Sequence, residues 1–379
     1  MRREDRGRIA AVVVAIVVTI VIVLLAGTSG SPPRPKVPPP TPEAEQFGVN
    51  VNRLFDDRTY TLAEIDSQLA ALRATGATLA RGDALWEATE PTPPTGGVHS
   101  YDWTFDDSQV SALARHGLTW LPIVDYSAGW AQSDPGHDHS PPTSDAAYAA
   151  YAGALARRYG PGGTFWSEHP GLPSLPVSAY EIWNEPDNPL FWFPSPNAAR
   201  YARLYLAARA AIHAADPTAH VLVGGLTFPA SFLPRMLSAA PQLANELDGV
   251  AIHPYGPTPA AVLGNVIAAR RTLDLLALQN VPLYVTEFGW TTSPPGATDG
   301  APEAARPAYI AETIEALARS GCGIAATLLY TWATPELRPG DAQDWFGISP
   351  PHGGTSPDVA AFTRALRAAG GAHLATSCG

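Results

Sequence analysis

Lysine is almost absent from this 379-residue chain: Lys36 is the only one among 24 basic residues, and no basic run occurs in the body of the sequence. The net charge is −11. Residues 1–46 hold six basic and four acidic side chains, so the remainder carries about −13 by subtraction. A polyanion needs a positive footprint, so nucleic acid is excluded as a partner and neutral ligands fit better. The arginine-for-lysine bias, with abundant alanine and proline, reads as coding bias and carries no function. There is no Gly-rich phosphate loop, no Gly-x-Ser-x-Gly elbow and no Cys-His nucleophile context, which removes the best-marked nucleotide-binding and acyl-transfer chemistries. Gly136-His137-Asp138-His139 offers metal-ligating side chains without a third or fourth ligand at recognisable spacing, and reads as a solvated loop. No metal or other cofactor is expected, and no feature calls for a partner subunit, so a monomer is the expectation. Internal repeats are absent too.

Long apolar runs are confined to the N-terminus. Arg2, Arg3, Arg6 and Arg8 precede an uncharged apolar stretch from Ile9 to Ala26, about the minimum that crosses a bilayer as a helix. Basic residues ahead of it place the N-terminus in the cytoplasm and the rest outside. A cleaved signal peptide is the rival reading, since Ala26-Gly27-Thr28-Ser29 is small enough for processing, although its apolar core is usually shorter. Seven prolines between Ser31 and Pro42 favour an extended spacer. The chain thus divides into a cytoplasmic end (1–8), an anchor or signal segment (9–27), a Pro-rich linker (28–46) and a body (47–379). The expected location is the cell membrane, single-pass with the body outside, or secretion after cleavage.

Cysteine is scarce as well. Cys322 and Cys378 are the only two, and a lone pair in an exported chain suggests one disulfide, worth roughly 4 kcal/mol by chain entropy. Two unrelated buried thiols are the other reading.

From Phe47 onward, short β-branched or apolar runs alternate with Ala-rich helical stretches. Strands are expected at Phe47–Asn50, Thr78–Gly82, Thr119–Val124, Ser178–Trp183, His220–Gly224, Gly249–His253, Leu283–Thr286 and Ile324–Tyr330. Helices are expected near Leu62–Thr75, Asp106–His116, Asp145–Tyr159, Pro196–Ala215, Phe232–Ala240, Ala260–Gln279, Pro302–Ser320 and Pro357–Ala369. Thr61 with Glu64 makes a capping-box start to the first of these. Eight pairs point to an α/β fold, a (β/α)8 TIM barrel, with an open doubly wound sheet as the rival that the missing phosphate loop disfavours. Two long insertions, Asp83–Trp103 and Asp125–Ser144, follow strands and so fall at the C-terminal face, where barrels build their sites.

Two strand ends carry chemistry. Glu181-Ile182-Trp183-Asn184-Glu185-Pro186 closes the fourth strand, and Tyr284-Val285-Thr286-Glu287-Phe288-Gly289-Trp290 closes the seventh. A single strand-end glutamate is more often a cap or a surface charge. Two at opposed strands, each set in Trp- and Gly-containing turns, can face one cleft, which is what glycosidic cleavage needs: one acid, and one nucleophile or base.

Asn184-Glu185-Pro186 together with Glu287 resembles the signature of the clan A glycoside hydrolases. Asn50, Arg81, His253-Pro254-Tyr255-Gly256 and Trp332 fall in order at or just beyond other strand ends. Within the clan, Ile-Trp-Asn-Glu-Pro-Asp and His-Pro-Tyr-Gly are most similar to family 39, with families 5 and 51 as alternatives. The resemblance implies a retaining hydrolase of neutral oligo- or polysaccharides, with Glu185 as acid/base and Glu287 as nucleophile. It implies that Asn184 binds the sugar 2-hydroxyl, that Arg81 stabilises the charge of Glu287, that Tyr255 positions it, and that Trp332 floors the subsite at the cleavage point. Asn50, Trp86 and His253 join the expected substrate site, although His253 also reads as a core histidine and Arg81 as a structural ion-pair partner. Of the loop tryptophans Trp86, Trp130, Trp183, Trp192 and Trp290, only two are expected to touch sugar. The acid has to hold a proton near neutrality, which asks for a raised Glu185 pKa. A transglycosylase using the same pair and a barrel that only binds glycans are the alternatives; sugar, linkage and endo or exo action stay open.

Overall fold

The computed structural model describes residues 45–55, 59–297, 299–370 and 378. The apolar run Ile9–Ala26 and the proline spacer lie outside the described residues. Among the described residues no helix is long and apolar enough to cross a membrane.

Strands β1 (Gln46–Asn50), β2 (Leu79–Leu85), β3 (Thr119–Asp125), β4 (Ala179–Ile182), β5 (His220–Leu226), β6 (Gly249–Ile252), β7 (Leu283–Val285) and β8 (Ile324–Leu329) pair in sequence order, and the sheet closes into a barrel. All neighbours are parallel, including the closing pair, in which Gly48 lies opposite Leu328. The barrel helices are α1 (Leu62–Ala74), α2 (Thr104–Arg115), α3 (Asp145–Tyr159), α4 (Ala198–Ala215), α5 (Pro229–Ala239), α6 (Pro259–Leu275), α7 (Arg306–Arg319) and α8 (Pro357–Ala369). Their starts are chemically marked. Thr61 and Glu64 form the reciprocal capping box, and Thr258-Pro259 and Ser356-Pro357 each put a hydroxyl cap before a proline whose missing N–H costs nothing at the first helical position.

Most boundaries differ from the sequence reading by one or two residues, and the larger differences have local causes. Helix α6 stops at Leu275 rather than Gln279 because Ala277 sits at φ 60°, in the left-handed region that ends a helix. Helix α7 begins four residues late because Pro302 to Ala305 form a turn. The insertion expected from Asp83 loses its first three residues to β2, and it contains a short helix, Trp86–Thr89, that no periodicity announced.

Strand alternation divides the core into two. Leu79, Leu121, Leu222, Ala251, Tyr284, Ala326 and Leu328 cluster as one buried group, separate from the large apolar layer between strands and helices. Moving two residues along a strand keeps the same face. From Leu79 this step reaches Arg81, from Ala251 it reaches His253, and from Leu328 it reaches Tyr330. An apolar layer therefore supports a charged one at the C-terminal mouth. At the opposite end Cys322, just before β8, is bonded to Cys378 with Cα atoms 4.4 Å apart, which fastens the chain terminus away from the mouth.

Candidate active site

Glu181 and Arg81 form the base of the mouth. The Arg81 guanidinium is fully buried; Nε and Nη2 donate to the two Glu181 oxygens at 2.8 and 2.9 Å, and Nη1 donates to Asn50 Oδ1 at 2.7 Å and Glu287 Oε1 at 2.6 Å. Nη2 also reaches Asn184 Oδ1 at 3.0 Å. A planar fork that cannot lose its charge is suited to bridging two carboxylates at once. Glu181 accepts further from the N–H of Gly225 at 2.7 Å. Glycine is required there, because an added Cβ would lie 2.0 Å from Nε2 of the His253 ring.

Glu287 and Glu185 stand above this base, each 8% exposed. Glu287 Oε2 accepts from the Tyr255 hydroxyl at 2.8 Å, so each of its oxygens has a donor. Glu185 is held differently: His253 Nδ1 lies 2.8 Å from Oε1, and Asn188 Nδ2 donates to Oε2 at 2.6 Å. Its backbone is at φ 45°, and that of Trp183 at φ 67°, so two left-handed residues turn the chain out of β4 and aim Glu185 into the mouth. Non-glycine residues in this region carry strain that surrounding packing has to hold. Ligand atoms of Glu185, His253 and Glu287 all lie within 4.8 Å of one another. The Arg81 guanidinium puts a permanent positive charge against this group, and its carboxylates already accept from protein donors, so it is a carboxylate pair rather than a cation cage.

Burial pushes the Glu185 carboxyl up, but its hydrogen bond and attraction to His253, with Asn188, outweigh burial and hold it below the ordinary value. For His253 burial works downward, and the nearby charges of Glu287 and Glu185 outweigh it, so the imidazole is raised. The direction at Glu185 is thus downward rather than the upward one expected, and His253 is the cause.

Of the residues expected to line the cleft, Asn184, Glu185, Tyr255 and Glu287 come together at its surface. Asn50, Arg81 and His253 are buried beneath it and act through the carboxylates. Asn50 uses its amide on the Thr286 carbonyl at 2.9 Å and its oxygen on Arg81. Trp332 and Trp86 do not line the cleft. The Trp332 side chain is fully buried with its indole N–H on Gln68 Oε1 at 2.9 Å, and buried Trp86 donates to Glu90 Oε2 at 2.9 Å while stacking on Tyr151. Trp183, Trp192 and Trp290 are buried as well; the indoles of Trp183 and Trp290 bind the carbonyls of Phe191 and Gly256. Trp130, half-buried, donates to the Glu90 carbonyl. In the metal-like stretch, His137 stacks on Phe193 and His139 meets the Leu190 carbonyl, so both serve loop packing.

Two residues were missed from sequence, and Tyr330 is the first. It follows β8 on the inward face, its ring meets Phe346 edge-on at 5.3 Å, and its hydroxyl titration is raised first by burial and next by the charge of Glu287. The two-residue step from Leu328 was the available signal. Glu181 was missed in the same way, as an inward residue inside a strand.

No family model and no curated protein matches the chain. Among solved structures the fold is similar to a GH39 β-xylosidase from Caulobacter crescentus, at 21% identity and TM-score 0.65, covering 86% of this chain and 72% of that one. It is also similar to the GH39 enzyme from Xanthomonas axonopodis pv. citri, at 19% identity and TM-score 0.65, covering 86% of this chain and 67% of that one. A GH5_18 protein from Bifidobacterium longum subsp. infantis is similar at 14% identity and TM-score 0.61, covering 85% and 78%. At these identities the likeness is one of fold.

Proposed function

We propose that the chain is a clan A glycosidase, most like family 39, that cleaves a neutral oligo- or polysaccharide with retention. One observation carries this reading: an oxygen of Glu185 and an oxygen of Glu287, on the turns after β4 and β7, lie within 4.8 Å of each other at the barrel mouth. Direct attack on an anomeric carbon uses carboxyl groups about 5–5.5 Å apart, whereas inversion needs about 6.5–9.5 Å to admit a water. The β-xylosidase named among the fold neighbours favours a β-linked substrate.

In the first step a Glu287 oxygen attacks the anomeric carbon while the bond to the leaving oxygen breaks. Arg81 and Tyr255 fix the attacking carboxylate, and Asn184 stands beside it to meet a sugar hydroxyl. The leaving oxygen takes its proton from Glu185, which draws it from His253 across the 2.8 Å contact as the bond breaks, so that Glu185 ends the step as carboxylate and His253 as neutral imidazole. Esterification of Glu287 removes one of the two charges that kept the imidazole protonated, which eases that transfer. In the second step the Glu185 carboxylate takes a proton from water and passes it back to His253, the hydroxide attacks the anomeric carbon, and Glu287 leaves as carboxylate. Tyr330, beside Phe346, takes the role of apolar platform that the sequence reading gave to Trp332.

The N-terminal apolar run and the proline spacer support an outward-facing body tethered at the membrane, and a monomer is in keeping with a neighbour described as monomeric. The test is covalent. Incubation with 2-deoxy-2-fluoro-β-glycosyl fluorides of xylose, glucose and galactose should add one sugar, and peptide mapping should locate it on Glu287. Labelling at another residue would sink the assignment.

A further inference from the structure

Two large apolar side chains left in solvent are tied to the segment that holds Glu185. Leu190 is 73% exposed and Phe228 is 55% exposed. The Leu190 N–H donates to Asn188 Oδ1 at 3.0 Å, and the same Asn188 side chain donates to Glu185 Oε2 at 2.6 Å. Phe228 follows β5; its N–H donates to Asp187 Oδ2 at 2.5 Å, and that of Thr227 donates to Asp187 Oδ1 at 3.1 Å. Asp187 is buried and lies two residues beyond Glu185. The Phe228 carbonyl accepts from the N–H groups of Ser231 and Phe232 at 3.1 Å, so its backbone is fixed on the helix side as well. A buried carboxylate and a helix start thus fix the backbone that carries an exposed phenyl ring. Around Glu287 the arrangement differs: Tyr255 and Tyr330 both meet Phe346 edge-on, an aromatic wall already packed on itself.

We propose that Phe228 and Leu190 form the subsite for the leaving-group sugar, the ring that departs with the glycosidic oxygen. This rests on the glycosidase reading above. A proton donor has to face the leaving oxygen, so the departing group lies over the elements that carry Glu185 rather than those that carry Glu287. A flat aromatic face carried on a fixed backbone suits the C–H face of a pyranose, whose hydroxyl edge stays in water. Pre-fixing the backbone beneath the ring removes part of the ordering cost of binding. The substrate class is therefore an oligosaccharide with a sugar on the leaving side, and the same platform would receive an acceptor sugar if the covalent intermediate were passed to one.

Glycosyl fluorides isolate this subsite, because fluoride leaves nothing to occupy it. Kinetics of Phe228→Ala and Phe228→Trp should be compared with the unaltered chain on xylotetraose, cellotetraose and β-1,4-galactotetraose, and on the matching β-glycosyl fluorides. Phe228→Ala should lower kcat/KM on the cleaved tetrasaccharide about 3–10-fold, mostly through KM. Turnover of the fluoride should stay within about twofold, and Phe228→Trp should keep tetrasaccharide activity. Leu190→Ala should reproduce the pattern more weakly. Equal activity of Phe228→Ala and the unaltered chain on both substrate types overturns the subsite alone. An equal loss on both assigns Phe228 a structural role and overturns it too. Failure of the unaltered chain on every substrate sinks the glycosidase reading and the subsite with it.

Discussion

Glu185 and Glu287 share a cleft and a degree of exposure, yet their surroundings are built on different principles. Glu287 is gripped by donors that keep their protons at neutral pH: the always-charged guanidinium of Arg81, and the hydroxyl of Tyr255, which burial and the neighbouring charge of Glu287 hold well above its ordinary titration. Glu185 is held by His253, whose imidazole can carry or release a proton, and by the Asn188 amide. One carboxylate is therefore held by donors that do not exchange a proton near neutrality, and the other is paired with a group that can. Residue type is the same in both cases; the partners divide the labour.

The sharpest way to break that comparison is to remove each charge in turn. Glu287→Gln should cost at least about 10⁴-fold in kcat on every substrate, because no leaving group escapes the need for a nucleophile. Glu185→Gln should lose comparable activity on an unactivated oligosaccharide while retaining much of it on a nitrophenyl glycoside, whose leaving group departs without an acid. If the two variants lose activity in parallel across both substrates, the division of roles is wrong.

A control for the comparison lies at the far end of the barrel. The Cys322–Cys378 bridge spans 56 residues and closes a loop worth about 4 kcal/mol in the chain-entropy model. The Cys322→Ser/Cys378→Ser double variant should unfold at clearly lower urea concentration with kcat unchanged. A change in kcat would mean that the bottom of the barrel shapes the mouth.

Tyr255→Phe probes one side only. Losing a hydrogen bond to a charged carboxylate should lower kcat/KM about 10–100-fold, equally for good and poor leaving groups, since it acts through the nucleophile. A larger loss on poor leaving groups would place Tyr255 with the acid instead.

The smallest effect is expected at a carboxylate outside the cleft. Asp106, buried under the β2 loop, is pushed up to about 7, first by burial, against the Thr89 hydrogen bond. A folded pKa above the unfolded one means stability that is full below about pH 4 and lost as pH rises through about 7. Asp106→Asn should therefore raise the melting temperature at pH 8, by about 1 kcal/mol or more in stability, with no gain at pH 4. A gain equal at both pH values would refute the assigned titration.

Much of this was legible in the chain because it is local. Thr61 and Glu64, Ser356 and Pro357, and the alternation of β-branched and Ala-rich runs each act over a few residues, and those elements sit where the residues put them. Glu185 and Glu287 were legible because each interrupts an apolar strand with a charge at its end. Trp332 shows where such reading fails. A tryptophan just past a strand end looks like a platform, but which face it takes depends on the turn after Leu329, and here it packs outward on Gln68 while Tyr330 continues the inward face.

The sequence by itself determined an eight-fold alternation of strand and helix, the positions of the two strand-end glutamates, and an acidic body suited to neutral ligands. Only the tertiary structure decided that Arg81 bridges Glu181 and Glu287, that His253 meets Glu185, and that Phe228 stands exposed with its backbone bound to Asp187. The reason is distance along the chain: Arg81 and Glu287 are 206 positions apart, and His253 and Glu185 are 68 apart. A charge acquires its working state from whichever neighbours the closed barrel brings within about 3 Å, and propensity and spacing say nothing about those neighbours.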